Sequence, residues 1–330
     1  MKATFVLFLT LLIWPLFGYE VKVRVVDDTG APVVGAKTAI YFVNSIHDDK
    51  RDGVTDENGI FAARGKGTNS VGCIVTKDGH YPARVEGLSR DENHDVGVVL
   101  PRILNPVPLY AWSSRGGKSV IIPVQNEWVG FDFEVADWVA PRGKGKTADI
   151  LFRFRNEFKG WKKQLEGEID KLIEETRQLA LLRKEPWTME GFKAFNGKWD
   201  GVLEISFPNE GDGIFEEKRF LAYNTMKLPH RAPTDGYVPT WRYEVEDYKY
   251  TPIPTNFGFF MRTRVKRDPH GKLISANYAK TMGGLNVSPS NGLINFTYYF
   301  NPVPNDQNLE FDPKKNLFPK DEPGADVFEP

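Results

Sequence analysis

Between Tyr19 and Pro82 the chain is written in short alternating runs, each closed by a turn signal, and this constrains its fold more than any other feature. Tyr19, Val21, Val23 and Val25 fall on one side and Glu20, Lys22 and Arg24 on the other, the period-two pattern of a half-buried strand. Asp27-Asp28-Thr29-Gly30-Ala31-Pro32 supplies turn chemistry, and a strand-like run follows from Ala39 to Val43. A second turn at Asp56-Glu57-Asn58-Gly59 leads into Ile60 and Phe61, and another strand runs from Val71 to Thr76. Short strands at this spacing predict an antiparallel sandwich. At roughly 150 residues per domain, a chain of 330 residues has room for about two, each with its own core. With 41% hydrophobic residues and a net charge of -1, the chain is neither disordered throughout nor a general polyanion binder.

Lys2 precedes an unbroken apolar run from Ala3 to Phe17, with Gly18 before the next charged residue, Glu20. The run is too short to cross a hydrocarbon layer of about 30 Å as a helix, so residues 1–18 read as a secretory signal peptide cut after Gly18. Leu16 stands where a small residue is preferred, which leaves an uncleaved anchor as the alternative. No later stretch reaches the roughly 18 apolar residues of a membrane helix, so no transmembrane helix is expected in the mature chain. The expected location is outside the cytoplasm: periplasmic, cell-surface or secreted. A single cysteine excludes a disulfide scaffold and a paired-cysteine zinc site. Cys73, alternating with Val71 and Val75, reads as a small buried apolar residue.

Three motifs in order, Asp28 to Ala36, Thr55 to Phe61 and Val75 to Pro82, resemble the carboxypeptidase regulatory-like domain over residues 19–100. The resemblance implies a transthyretin-like, seven-stranded sandwich and says nothing of activity. Zinc carboxypeptidases, which such domains accompany, hold their metal with a His and a Glu three residues later. Here the residues three after His47, His80, His94, His230 and His270 are Lys50, Ala83, Gly97, Pro233 and Leu273, and HExxH is absent too. Gly143-Lys144-Gly145-Lys146-Thr147 ends like a phosphate loop, but Ala140 replaces its first glycine. No serine lies in GxSxG. No cofactor or metal is expected, and neither nucleotide nor nucleic acid is an expected partner.

Pro101, Pro106 and Pro108 mark a linker over 101–108, and seven of the eight tryptophans follow it. Residues 109–300 read as a larger β-rich domain of sandwich or jelly-roll type, so that the fold class is mainly β. Its expected strands are Val129 to Trp138, Asp149 to Phe154, Lys198 to Phe207, Arg219 to Tyr223, Trp241 to Val245, Phe257 to Lys266, Lys272 to Met282 and Leu293 to Phe300. Asp268-Pro269-His270-Gly271 should turn a hairpin. One long helix is expected over 157–184, with Asn156 as its cap and the apolar stripe Phe158, Trp161, Leu165, Ile169, Leu172 and Leu179. Residues 301–330 carry six prolines and read as an extended or disordered tail.

The expected function is that of an exported envelope or extracellular protein of non-enzymatic binding or structural type, whose partner is a polysaccharide or another envelope protein. The alternative is a polysaccharide-active hydrolase or lyase. Its acids would be Asp132 and Glu134, alternating on one strand with Asp137 close behind, because paired carboxylates beside aromatics suit glycoside cleavage. The aromatics after residue 101, including Trp112, Trp128, Trp138, Trp199, Trp241, Tyr237 and Tyr243, could offer flat rings for sugars, Trp138, Trp241 and Tyr243 first among them. Arg262, Arg264 and Lys266 form a basic ladder opposite Phe259, Met261 and Val265, suited to an acidic polysaccharide or a membrane surface.

Overall fold

The computed structural model describes residues 18–45, 47–90, 92–114, 120–218, 228–245 and 257–327. The expected leader and the expected strand from Arg219 to Tyr223 lie outside the described residues, apart from Gly18. The chain divides into two compact units, one ending at Ile103 and the other beginning at Leu104. Among the described residues, no helix is long and apolar enough to cross a membrane.

Among the described residues the first unit has seven strands: β1 (Tyr19–Val26), β2 (Lys37–Val43), β3 (Asp49–Val54), β4 (Ile60–Gly65), β5 (Ser70–Thr76), β6 (Ala83–Leu88) and β7 (His94–Val99). They form sheets of order β4-β1-β7 and β3-β2-β5-β6, antiparallel except for the parallel β1 and β7 pair. The alternation decides which side chains meet. Val21, Val23 and Val25 of β1 pack with Ile40 and Phe42 of β2 and Val71, Cys73 and Val75 of β5, all buried. Burial pushes the Cys73 thiol up to about 12. The turns are closed by their own aspartates. Oδ1 of Asp27 accepts the amides of Thr29 and Ala31, and Oδ1 of Asp56 those of Asn58 and Ile60. Gly59 is required at φ 73°, because a Cβ there would stand 2.4 Å from the Val25 carbonyl oxygen.

The second unit is built on β8 (Tyr110–Ser113), β9 (Val120–Ile121), β10 (Val129–Asp132), β11 (Asp137–Trp138), β12 (Ile150–Trp161), β13 (Gly197–Ser206), β14 (Gly213–Lys218), β15 (Thr240–Val245), β16 (Phe257–Arg267), β17 (Leu273–Thr281), β18 (Asn286–Val287), β19 (Leu293–Asn295) and β20 (Thr297–Asn301). Two five-stranded sheets, β11-β10-β12-β13-β15 and β14-β16-β17-β20-β8, contribute to one core, and a small sheet β18-β19-β9 completes it. Phe131, Phe152, Phe154 and Leu203 of the first sheet share that core with Phe259, Met261, Tyr298 and Phe300 of the second. The second sheet also buries its other face, where Phe260, Tyr278 and Tyr299 meet Leu309, Phe311 and Val327. Residues 301–327 are therefore packed against the sheet, not a loose tail, because Leu309 and Phe311 alternate onto it and are fully buried.

The expected single helix is corrected. β12 continues through Trp161 and pairs with β13 as far as Trp161 opposite Gly197, so Phe158 and Trp161 are strand residues. Asn156 caps nothing; its amide donates to the carbonyls of Pro289 and Ser290. Two helices follow, α1 (Ile169–Arg183) and α2 (Met189–Asn196). Gly167, at φ 88°, interrupts the backbone just before α1, and Lys184 ends it in the left-handed conformation. A bulge between Phe158 and Gly160 lets two aromatics three apart imitate a helical stripe.

Three strand expectations also change. Val129 to Trp138 divides into β10 and β11 around a turn with Ala136 at φ 53°, and Leu293 to Phe300 divides into β19 and β20. In β16 the pairing with β17 shifts after Thr263, and Arg264 has φ 55°. Val265 consequently joins the core of Phe260 instead of that of Phe259 and Met261, and the basic ladder is broken.

Candidate functional site

Of the three carboxylates singled out in the sequence, Asp132 and Asp137 hold backbone amides and Glu134 holds an arginine. Asp132 is 2% exposed; its Oδ2 accepts the amides of Lys146 and Thr147 at 2.8 and 3.0 Å, and its Oδ1 that of Glu134 at 3.0 Å. Asp137 accepts the amides of Trp138 and Lys144 and so orders the loop after β11. Glu134 lies beyond the end of β10 and pairs with Arg264. The guanidinium of Arg264 also donates to the fully buried Asp149 from Nε and Nη2, at 2.7 and 3.0 Å, and lies 4.8 Å from the Phe300 ring centroid. Asp149 accepts the Phe133 amide and the Thr263 hydroxyl as well. Burial pushes the Asp149 carboxyl up, against the pull of Arg264. For Arg264 burial disfavours the charge, but Asp149 and Glu134 outweigh it and hold the guanidinium above its ordinary range.

The other named residues separate. Arg262 donates to the carbonyls of Gly211 and Thr234 and lies over the Tyr237 ring, whereas Lys266 is exposed. Trp138 is buried, edge-on to Phe131 and Phe152. Trp241 and Tyr243 stack at 7°, partly buried against the core, and the Trp241 indole donates to Glu216. Neither ring is an open platform.

An open polar site lies on the outer face of the first sheet. Ile150, Phe152 and Phe154 turn inward, so Arg153, Arg155 and Glu157 point out. The same alternation turns the half-buried Asp200, Val202 and Glu204 on β13 and the exposed Arg242 and Glu244 on β15 to this face. Register makes rows of them: Arg153, Glu204 and Arg242; Arg155, Val202 and Glu244; Glu157 and Asp200. Arg153 and Arg242 share Glu204 at 2.9 and 3.2 Å, Arg242 also reaches Glu244, and Lys159 stands 3.3 Å from Glu157 and 3.7 Å from Asp200. Hydrogen bonding to Arg153 holds the Glu204 carboxyl below its usual range.

A depression of about 410 Å³ opens beside these rows, lined by Asn126, Arg155, Glu157, Asp200, Val202 and Glu244 among others. That is within the size range of small-molecule sites, roughly 300–1,000 Å³. Trp128 is 40% exposed, with the Arg153 guanidinium 4.6 Å from its ring centroid, and Arg153 neighbours Arg155 on the same face of β12. Two hollows of about 390 and 410 Å³ also flank Tyr41 on the outer face of the first unit's four-stranded sheet. Among the described residues no group of three His, Cys, Asp or Glu side chains is placed to hold a metal ion.

Arg153, Arg155 and Asn126 were not singled out in the sequence, whereas Trp128 was among the rings named there as sugar platforms. Alternation in Ile150-Leu151-Phe152-Arg153-Phe154-Arg155 was the available signal for the two arginines. Their meeting with β13 and β15 depends on strand register.

No protein-family model matches the chain, and no curated protein matches it. Among solved structures it is similar to a streptococcal ancillary pilin, at 10% identity and TM-score 0.21, over 42% of this chain and 53% of the pilin chain. The chain thus spans about half the length of that pilin. A Bacteroides uniformis protein assigned provisionally to carbohydrate binding aligns at 8% identity and TM-score 0.21, over 88% of this chain and 99% of its own. A DUF3823-family protein from Parabacteroides merdae aligns at 8% identity and TM-score 0.20, over 84% and 94%. Scores of this size do not define a shared fold.

Proposed function

We propose that this is an exported envelope or extracellular protein of non-enzymatic type that binds polysaccharide on the outer face of its second unit. The first unit, read as a carboxypeptidase regulatory-like sandwich, serves as a spacer or interaction module. One observation carries the binding reading: an exposed tryptophan, Trp128, clasped by Arg153, which shares one face of β12 with Arg155 of the open depression. An aromatic ring held flat presents a surface on which the C–H face of a sugar stacks, and the neighbouring polar groups give its hydroxyls partners. The non-enzymatic reading is supported by Asp132, buried with both oxygens engaged by backbone amides, and by Glu134, paired with Arg264.

The test is native electrophoresis of the purified protein through gels containing neutral and acidic polysaccharides, stained afterwards for remaining polymer. Retardation without clearing, lost in Trp128→Ala, is the expected result. Free migration in every gel would overturn the binding reading. Cleared zones would establish the hydrolase or lyase alternative instead, and Asp132→Asn and Glu134→Gln would then show whether those acids perform the cleavage.

A further inference from the structure

The cations of this face are not equivalent. Arg153 and Arg242 share Glu204, Arg242 also holds Glu244, and Lys159 stands between Glu157 and Asp200. Arg155 faces Val202 across the strand pair, a side chain with no charge to offer. Among the described residues its guanidinium takes no hydrogen bond or ion pair, and neither do the side-chain amide of Asn126 or the indole N–H of Trp128. Asn126 is held in the left-handed conformation, φ 64°, with its backbone amide donating to the Phe154 carbonyl one residue before Arg155. These three groups thus make no hydrogen bond among the described residues, and Arg155 acts on Glu204 only through space, on a surface whose other charges are paired.

We propose that the depression takes a uronate, the carboxylate-bearing sugar of an acidic polysaccharide, with Arg155 as the contact to the carboxylate, Asn126 to a ring hydroxyl and Trp128 as the stacking surface. This rests on the glycan-binding reading and names its ligand class. A guanidinium presents two parallel N–H donors that match a carboxylate, and such charge-assisted bonds are about twice as strong as neutral ones. A neutral sugar at the same place would desolvate Arg155 without giving it an anion, so the site selects by that penalty as well as by attraction. The carboxylates at the rim do not oppose this, because Lys159 and Arg242 already compensate them.

Polygalacturonate and its methyl ester separate the two claims, since they share a sugar backbone and differ in charge. The full protein should bind polygalacturonate tighter than the ester by about tenfold or more, and Arg155→Ala should remove most of that difference while Arg155→Lys keeps part of it. Because Arg155 is exposed, these variants are expected to fold, which an unchanged melting temperature checks. Trp128→Ala should weaken binding to both polymers. Equal binding of acid and ester, an Arg155→Ala protein that binds like the parent, or preference for dextran sulfate over polygalacturonate overturns the uronate assignment while the Trp128-dependent glycan reading stands. Absence of binding to any polymer overturns both.

Discussion

Nε of Arg264 donates to Oδ1 of Asp149 across 2.7 Å, joining a residue in left-handed conformation on β16 to a carboxylate from which the chain has no solvent access. That one pair connects the two five-stranded sheets, because Asp149 also receives the Phe133 amide while Arg264 rests on the Phe300 ring. Arg264 is spent on architecture and is not available to a ligand.

Removing the cation should therefore be severe. Arg264→Met leaves Asp149 buried with a charge and no counter-ion, a loss of about 3–5 kcal/mol. Asp149→Asn in the same chain should restore part of it, because the neutral amide carries no charge to strand. Urea unfolding of the two single variants and the double variant checks this. A double-variant loss equal to the sum of the singles would show that the pair does not act as a unit.

Lys280 makes stability depend on pH. It lies on β17 opposite Tyr299, 1% exposed, with Nζ 5.2 Å from the Tyr299 ring centroid and no hydrogen-bond partner among the described residues. Burial pushes the amine down to about 7 from 10.5, against the pull of the nearby Glu310, itself buried. Between those values the unfolded chain holds a proton that the folded chain lacks. Unfolding free energy should rise with pH across that window, by at most ~1.4 kcal/mol per unit, with the penalty complete below the lower value. Lys280→Met should flatten this rise and stabilise the protein at and below neutral pH. Urea midpoints between about pH 6 and 10 measure it, and indistinguishable profiles for parent and variant would refute it.

The helical excursion and the C-terminal segment should exchange the importance that the sequence assigns them. α1 buries only Ala180 and α2 only Phe192, which meets Trp161 and Trp187, while Leu181 and Leu182 are 66% and 83% exposed. Since Trp161 pairs with Gly197, replacing residues 162–196 by Asn-Gly can close the hairpin directly, with only a small fall in melting temperature expected. Phe311→Ala, which empties a fully buried site, should cost about 3–5 kcal/mol and lower the melting temperature by on the order of 10 °C. If the shortened chain melts below Phe311→Ala, the excursion is part of the core after all.

Much of the first unit was legible because its signals are local. Val21, Val23 and Val25 declare a buried face by period two, and Asp56 and Gly59 declare a turn through side-chain and backbone chemistry within four residues. The hairpin turn at Asp268 to Gly271 was legible for the same reason: Asp268 closes it through the Lys272 carbonyl, and Gly271 supplies φ 80°. Phe158 and Trp161 were misread because their spacing suits a helix as well as a bulged strand.

Composition and alternation alone determined a mainly β chain with an alternating N-terminal sandwich and a tryptophan-rich second part. Tertiary structure alone decided that Leu309 and Phe311 cover the second sheet, that Arg264 turns to Asp149, and that Arg155 faces an uncharged Val202. The physical reason is range. A strand's inward and outward faces are written every second residue, but which charge meets which, and what covers a sheet's far face, is settled by register between strands far apart in the chain.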